Sequence, residues 1–219
     1  MMDPSQWAVY LVTDRFFSRG RSTPFIVKAA LEGGVSVVQL REKQLSTREF
    51  YFAGLELRDL LKSAGVPLII NDRIDIAQAV DADGVHLGTS DMPVIVARRI
   101  LGEGKIIGVS VNCLEELEDP SLAMADYLAI SPVFATQTKT DTAPAWGLEG
   151  LEKARLKTSK PLVAIGGISH RNAASVIEAG ADCIAVVTAI VAADDPASAT
   201  KTLTAMVRNE KMSRQTARH

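Results

Sequence analysis

The chain has 219 residues, a formal net charge of −2 from 24 lysines and arginines against 26 aspartates and glutamates, and 47% hydrophobic residues. That length suits one domain with a large core, and the charge balance offers no broad basic surface, which argues against nucleic acid as a partner. No apolar stretch approaches the ~20 residues that cross a bilayer, so no membrane association is expected, and residues 1–7 lack the basic start and apolar run of a signal peptide.

Eight short apolar runs, rich in Val and Ile, are the predicted strands: 8–13, 36–42, 67–72, 84–88, 105–111, 127–133, 161–168 and 183–190. Near-continuous apolar character suits strands buried on both faces, as in a parallel sheet. Helical signals lie between them. Ser22-Thr23-Pro24 supplies a cap and an early proline, and Gly33-Gly34 a stop. Ser46-Thr47-Arg48-Glu49 reads as a capping box before an amphipathic stretch that reaches Lys62. Ser169 is expected to cap a helix carrying Val176 and Ile177, and Asp194-Asp195-Pro196 to open the last one. The tail, 209–219, is polar and basic without an apolar period and reads as frayed or disordered. Eight strand–helix units in one composition regime predict an α/β fold, a single (β/α)8 TIM barrel over 1–208, with a doubly wound open sheet as the alternative. Cys113 and Cys183 have no metal-ligand spacing, and Cys183 reads as a small core residue. A reduced, cytoplasmic protein is the expectation.

The chemistry concentrates where the strands end. Side chains alternate along a strand, so Gln39, Arg41 and Lys43 share one side and bring an amide and two cations to the barrel mouth. Arg suits bidentate phosphate contacts and Lys acts as a point charge; the plainer reading is a solvated strand end. Asp72 closes the third strand and Asp91 follows the fourth. Two bare carboxylates at ~4 Å would repel by about 4 kcal/mol at an effective dielectric of ~20. A bound Mg²⁺ removes that repulsion and favours carboxylates together with phosphate oxygens and waters. The plainer reading is that Asp91 caps the helix beginning at Met92-Pro93. The loop after the sixth strand, 135–142, is long and dense in hydroxyls, with Lys139 its one cation; it reads as a lid or phosphate clamp, or as a solvated loop. Gly166-Gly167 and the neighbouring Val187-Thr188 fit the phosphate site that such barrels form after strands seven and eight. His86 is taken as a hydrogen-bonded core residue, and neither a Ser-His-Asp nor a Cys-His arrangement is evident.

These segments, with the start Tyr10-Leu11-Val12-Thr13-Asp14, the run Asn71-Asp72-Arg73, the stretch from Ala82 to Gly88 and that from Val163 to Ile168, resemble the thiamine-phosphate synthase family from about Tyr10 to Ser198. The resemblance implies a (β/α)8 barrel that joins 4-amino-2-methyl-5-hydroxymethylpyrimidine diphosphate to a thiazole phosphate, both small molecules, and releases diphosphate. It implies that Gln39, Leu40, Arg41, Glu42, Lys43, Asn71, Ser110 and Lys139 hold the pyrimidine diphosphate. Arg41, Lys43, Ser110 and Lys139 would be the catalytic groups. Asp72 and Asp91 would bind Mg²⁺, and Thr136, Gln137, Thr138, Gly167, Val187 and Thr188 would line the thiazole-phosphate side. Ser131, Ala135, Thr188 and Thr89 depart from the family's usual Gly, Pro, Ser and Gln. The rival readings are a thiazole tautomerase-like paralogue, whose His after the fifth strand is missing from Gly108-Val109-Ser110-Val111-Asn112, and a non-catalytic binder of a phosphorylated ligand. A homo-oligomer is left open.

Overall fold

The computed structural model describes residues 3–136 and 144–216. Within them every apolar run contains a strand, each shorter than the run: β1 (Val9–Val12), β2 (Val37–Leu40), β3 (Leu68–Asn71), β4 (Gly84–Leu87), β5 (Ile106–Val111), β6 (Tyr127–Ile130), β7 (Leu162–Ile165) and β8 (Cys183–Val186). They pair in chain order, all parallel, and β8 returns to β1, closing a barrel. The helices are α1 (Thr23–Glu32), α2 (Thr47–Ala64), α3 (Ile74–Ala79), α4 (Val94–Leu101), α5 (Gly147–Lys157), α6 (Ala173–Glu178), α7 (Thr188–Val191) and α8 (Pro196–Thr216). This is the expected single (β/α)8 barrel, and no described helix is long and apolar enough to cross a membrane.

Alternation along each strand divides the core in two. Inside the barrel pack Trp7, Tyr10, Val37, Ile69, Ile106, Tyr127, Val163, Cys183 and their neighbours. Val38, Leu40, Leu68, Ile70 and Val85 face outward and belong to the larger cluster shared with the helices. The register sets inward residues side by side: Gln39 against Val12 and Ile69, His86 against Asn71 and Gly108, Gly108 against Tyr127. A Cβ at Gly108 would lie 1.9 Å from Tyr127 Cζ, so the tyrosine ring occupies the space that glycine leaves.

The N-terminal rim is pinned by one device used four times. Ahead of each even-numbered strand stands a hydroxyl or carboxylate that accepts the N–H at the start of the preceding odd-numbered strand. Ser36 Oγ accepts from Ala8 at 3.0 Å, and Asp83, Asp126 and Asp182 accept from Leu68, Ile107 and Leu162 at 2.8, 2.7 and 2.8 Å. The three aspartates return their own N–H to the carbonyl of that same residue. Each such bond satisfies a donor that would otherwise lack a partner and holds the register against a slip. Arg98 reinforces Asp126 at 2.7 Å, and Arg155 reinforces Asp182 at 3.0 Å.

The helix signals at Ser22 and the Ser46–Glu49 capping box are present as expected, and Gly65 ends α2 in a left-handed conformation. Four expectations are corrected. The run 183–190 is not one strand: β8 stops at Val186, and Thr188–Val191 form the short helix α7, because a brief apolar run fits either period. Between β5 and β6 stand two 3₁₀ turns, Glu115–Glu118 and Pro120–Met124, in place of an α-helix; Pro120 supplies no N–H, and Asp119 accepts from Ser121 N–H. Ser169 opens a turn, and α6 begins at Ala173. The tail is helical to Thr216, anchored by long cations. Lys211 Nζ donates to the carbonyls of Ser5, Trp7 and Asp182, and Arg214 to those of Ile177 and Ala181.

Candidate active site

A cavity of about 1160 Å³ opens where the strands end. Its β2–β4 side gathers Gln39, Arg41, Lys43, Asn71, Asp72 and Asp91, with Ser110 of β5 alongside. Arg41 is held twice. Its Nη1 donates to Asp14 Oδ2 at 2.9 Å, and its backbone N–H donates to Thr13 Oγ1 at 3.0 Å. Lys43 pairs with Asp72. Asp72 adopts φ +62°, a left-handed conformation that Asp tolerates better than most residues. Its N–H donates to the His86 carbonyl at 2.9 Å, so the chain turns sharply at the end of β3.

The Asp72 and Asp91 carboxyls are neighbours. Burial pushes the Asp91 carboxyl up, and the adjoining Asp72 pushes it further; at Asp72, burial is outweighed by hydrogen bonds with Lys43 and Asp91, and its carboxyl falls below the ordinary range. Asp91 does not cap α4: Pro93 holds the cap position without a side-chain bond, and Asp91 Oδ2 accepts from Gly88 N–H at 2.7 Å instead. Among the described residues no group of three or more His, Cys, Asp or Glu could hold a metal. Two neighbouring carboxylates fit a hard divalent cation that takes its remaining oxygens from phosphate and water.

Across the cavity lie Thr136, Gly167, Val187 and Thr188. Gly166 and Gly167 have φ +103° and +64°, and a Cβ on them would come within 2.6 Å of Pro132 Cβ and 2.8 Å of the Ala135 carbonyl. The β7 loop therefore lies backbone against backbone on the β6 loop. Arg21 holds α7 from behind, donating to the carbonyls of Val191 at 2.8 Å and Ala193 at 2.7 Å.

Two expected residues are not brought to the cavity. Leu40 is fully buried facing the helices, because it alternates with Gln39. Glu42 does not line the cavity, and burial, reinforced by Asp14 against the pull of Arg15, pushes its carboxyl up to about 7. Gln137, Thr138 and Lys139 lie outside the described residues. His86, expected in the core, is hydrogen-bonded but lines the cavity, as do Tyr10 and Tyr127, which sequence reasoning passed over. The available signal was a polar tip recurring at inward positions of otherwise apolar strands.

A parallel barrel with cations and paired carboxylates on one side of its mouth, and a glycine-rich loop before a short helix on the other, defines an enzyme class that handles phosphorylated small molecules. The family model described as thiamine monophosphate synthase matches residues 9–190, and the chain belongs to that family. It is 55% identical over 201 residues to the thiamine-phosphate synthase of Chloroflexus aurantiacus, covering 92% of this chain and 93% of that one. It is 57% identical over 188 residues to that of Albidiferax ferrireducens, covering 86% of each. Its fold matches the solved thiamine phosphate pyrophosphorylase of Pyrococcus furiosus with a TM-score of 0.86 and 40% identity, over 94% of this chain and 98% of that one.

Proposed function

We propose that this barrel is a cytoplasmic, Mg²⁺-dependent transferase that joins 4-amino-2-methyl-5-hydroxymethylpyrimidine diphosphate to a thiazole phosphate, giving thiamine phosphate and diphosphate. Family membership supports the reaction. The observation that supports the assignment of residues is one cavity lined by both Arg41 and Lys43 and by Gly167 and the Val187-Thr188 turn. Arg41 and Lys43 bind the diphosphate, Arg41 aimed by Asp14 and Thr13. Lys139 completes that set. Gln39, Asn71 and Ser110 orient the pyrimidine ring. Asp72 and Asp91 hold Mg²⁺, which when bound neutralises charge on the leaving diphosphate.

On the other face Thr136, Gly167 and the Val187-Thr188 turn hold the thiazole phosphate, and Gln137 and Thr138 are assigned to the same ligand. The bond from the methylene carbon to the diphosphate oxygen breaks, and its electron pair leaves with the diphosphate. The thiazole nitrogen then supplies the pair for the new C–N bond. The residues orient two rings and stabilise a leaving group, so no strong general base is required. Incubating the chain with both substrates and Mg²⁺ should yield thiamine phosphate and diphosphate in equal amounts. Binding of both substrates with no diphosphate released would overturn the assignment.

A further inference from the structure

We propose that Tyr127 is a positioning residue: it fixes the tautomer of His86, and thereby the direction of the proton that Ser110 presents to the cavity. A continuous chain of hydrogen bonds crosses the barrel interior. Gln39 Nε2 lies 2.8 Å from Tyr10 Oη, Tyr10 Oη 2.9 Å from Tyr127 Oη, Tyr127 Oη 3.0 Å from His86 Nδ1, and His86 Nε2 2.9 Å from Ser110 Oγ. The five residues come from β1, β2, β4, β5 and β6.

Counting protons along the chain fixes its direction. The Gln39 amide nitrogen donates to Tyr10 Oη, and the buried Tyr10 hydroxyl proton goes to Tyr127 Oη, its other hydrogen-bonding neighbour in the chain. Tyr127 then has one proton left, and it goes to His86 Nδ1. A neutral imidazole that accepts at Nδ1 carries its hydrogen on Nε2. Nε2–H donates to Ser110 Oγ, and the Ser110 hydroxyl proton is released toward the cavity that Ser110 lines. Both phenols remain protonated, because burial pushes them well above the ordinary tyrosine range.

The rings are held for this task. Tyr127 is fully buried, stacked against His86 with centroids 5.7 Å apart, and met edge-on by Trp7 at 5.4 Å and Tyr10 at 6.0 Å. Its place depends on Gly108. Tyr127 shares no hydrogen bond with Arg41, Lys43, Asp72 or Asp91, so its hydroxyl acts on the site through His86. The consequence for substrate rests on Ser110 orienting the pyrimidine, as proposed above; the tautomer does not.

The test is nitrogen-15 NMR of the imidazoles in the full chain, with the imidazoles in their neutral form. The chain has three histidines, so substituting His170 and His219 singly assigns the signals. Wild-type His86 should show a pyridine-type Nδ1 and a pyrrole-type Nε2. Tyr127→Phe should lose that pattern for a mixture of tautomers. Its kcat/KM for the pyrimidine diphosphate should fall by about five- to tenfold, the scale of one neutral hydrogen bond, with KM for the thiazole phosphate unchanged. Tyr10→Phe interrupts the chain one link earlier and should move the tautomer the same way, which keeps the test decisive if Tyr127→Phe folds poorly. A protonated Nδ1 in the wild type, or an unchanged pattern in either variant, would overturn the proposal. An altered tautomer with unchanged kinetics would leave the relay standing and remove Ser110 from pyrimidine binding.

Discussion

Replacing Asp91 by Asn separates what the carboxylate does to the fold from what it does for the reaction. Asp91 and Asp72 are neighbours, and the adjoining charge helps push the Asp91 carboxyl up. Two unit charges at ~4 Å repel by about 4 kcal/mol at an effective dielectric of ~20. Asp91 is partly exposed and Lys43 already pairs with Asp72, so screening leaves about 1 kcal/mol. The asparagine oxygen still accepts from Gly88 N–H, and its amide donates to Asp72. Metal-free Asp91→Asn should therefore melt about 2–4 °C higher than the wild type at neutral pH. A carboxyl with a raised folded pKa makes the folded state bind more protons than the unfolded one, so wild-type stability falls as pH rises through that window. The advantage of the variant should vanish at low pH, where Asp91 is protonated. Mg²⁺ should raise the wild-type Tm and leave that of the variant unchanged, and apparent Mg²⁺ affinity in the assay should fall by at least the about 10–100-fold that even outer partners supply. Thermal scans with and without Mg²⁺ across pH, beside product formation, read all of this. A metal-free variant that melts below the wild type at neutral pH would refute the reasoning.

Gly108→Ala should destabilise by about 1–3 kcal/mol through overpacking against Tyr127 and lose most activity, and adding Tyr127→Ala should recover part of the stability; urea unfolding of both variants measures it. Asp126→Ala should be more destabilising than Asp83→Ala by about 1–3 kcal/mol, because only the former strips a partner from Arg98, whose side chain is 8% exposed; equal shifts in Tm would contradict this. Glu42→Gln should raise Tm at about pH 8 and not at about pH 4: the Glu42 carboxyl, pushed up to about 7 by burial, erodes wild-type stability as pH rises from the ordinary carboxylate range to about 7. Lys139→Ala should lower kcat more than it raises KM for the pyrimidine diphosphate; steady-state kinetics with a pure KM effect would remove its transition-state role.

The strands were legible because burial on both faces leaves a local mark, a short run of Val and Ile, and the cap at Ser22 and the box at Ser46–Glu49 were legible for the same reason. What failed locally was decided by distant partners. Val187 to Ile190 is apolar but for Thr188, yet it turns into α7, where Arg21 from the β1–α1 loop binds the carbonyl of its last residue, Val191. Residues 209–216 carry no apolar period, yet Lys211 and Arg214 tie them to the carbonyls of Ser5, Trp7, Asp182 and Ile177. His86 was misplaced because one histidine in an apolar strand reads the same whether it faces a packed interior or the floor of a cavity.

Chain order and composition were enough to specify eight parallel strands, their inward and outward faces, and a mouth rich in phosphate-binding groups, since each depends on neighbours a few residues apart. Barrel closure and register settled the rest: that Asp91 turns from its helix to Asp72, and that Tyr10, Tyr127 and His86 join in one line. Those meetings link residues far apart along the polymer, and no local period encodes which distant side chain will stand opposite when a sheet closes on itself.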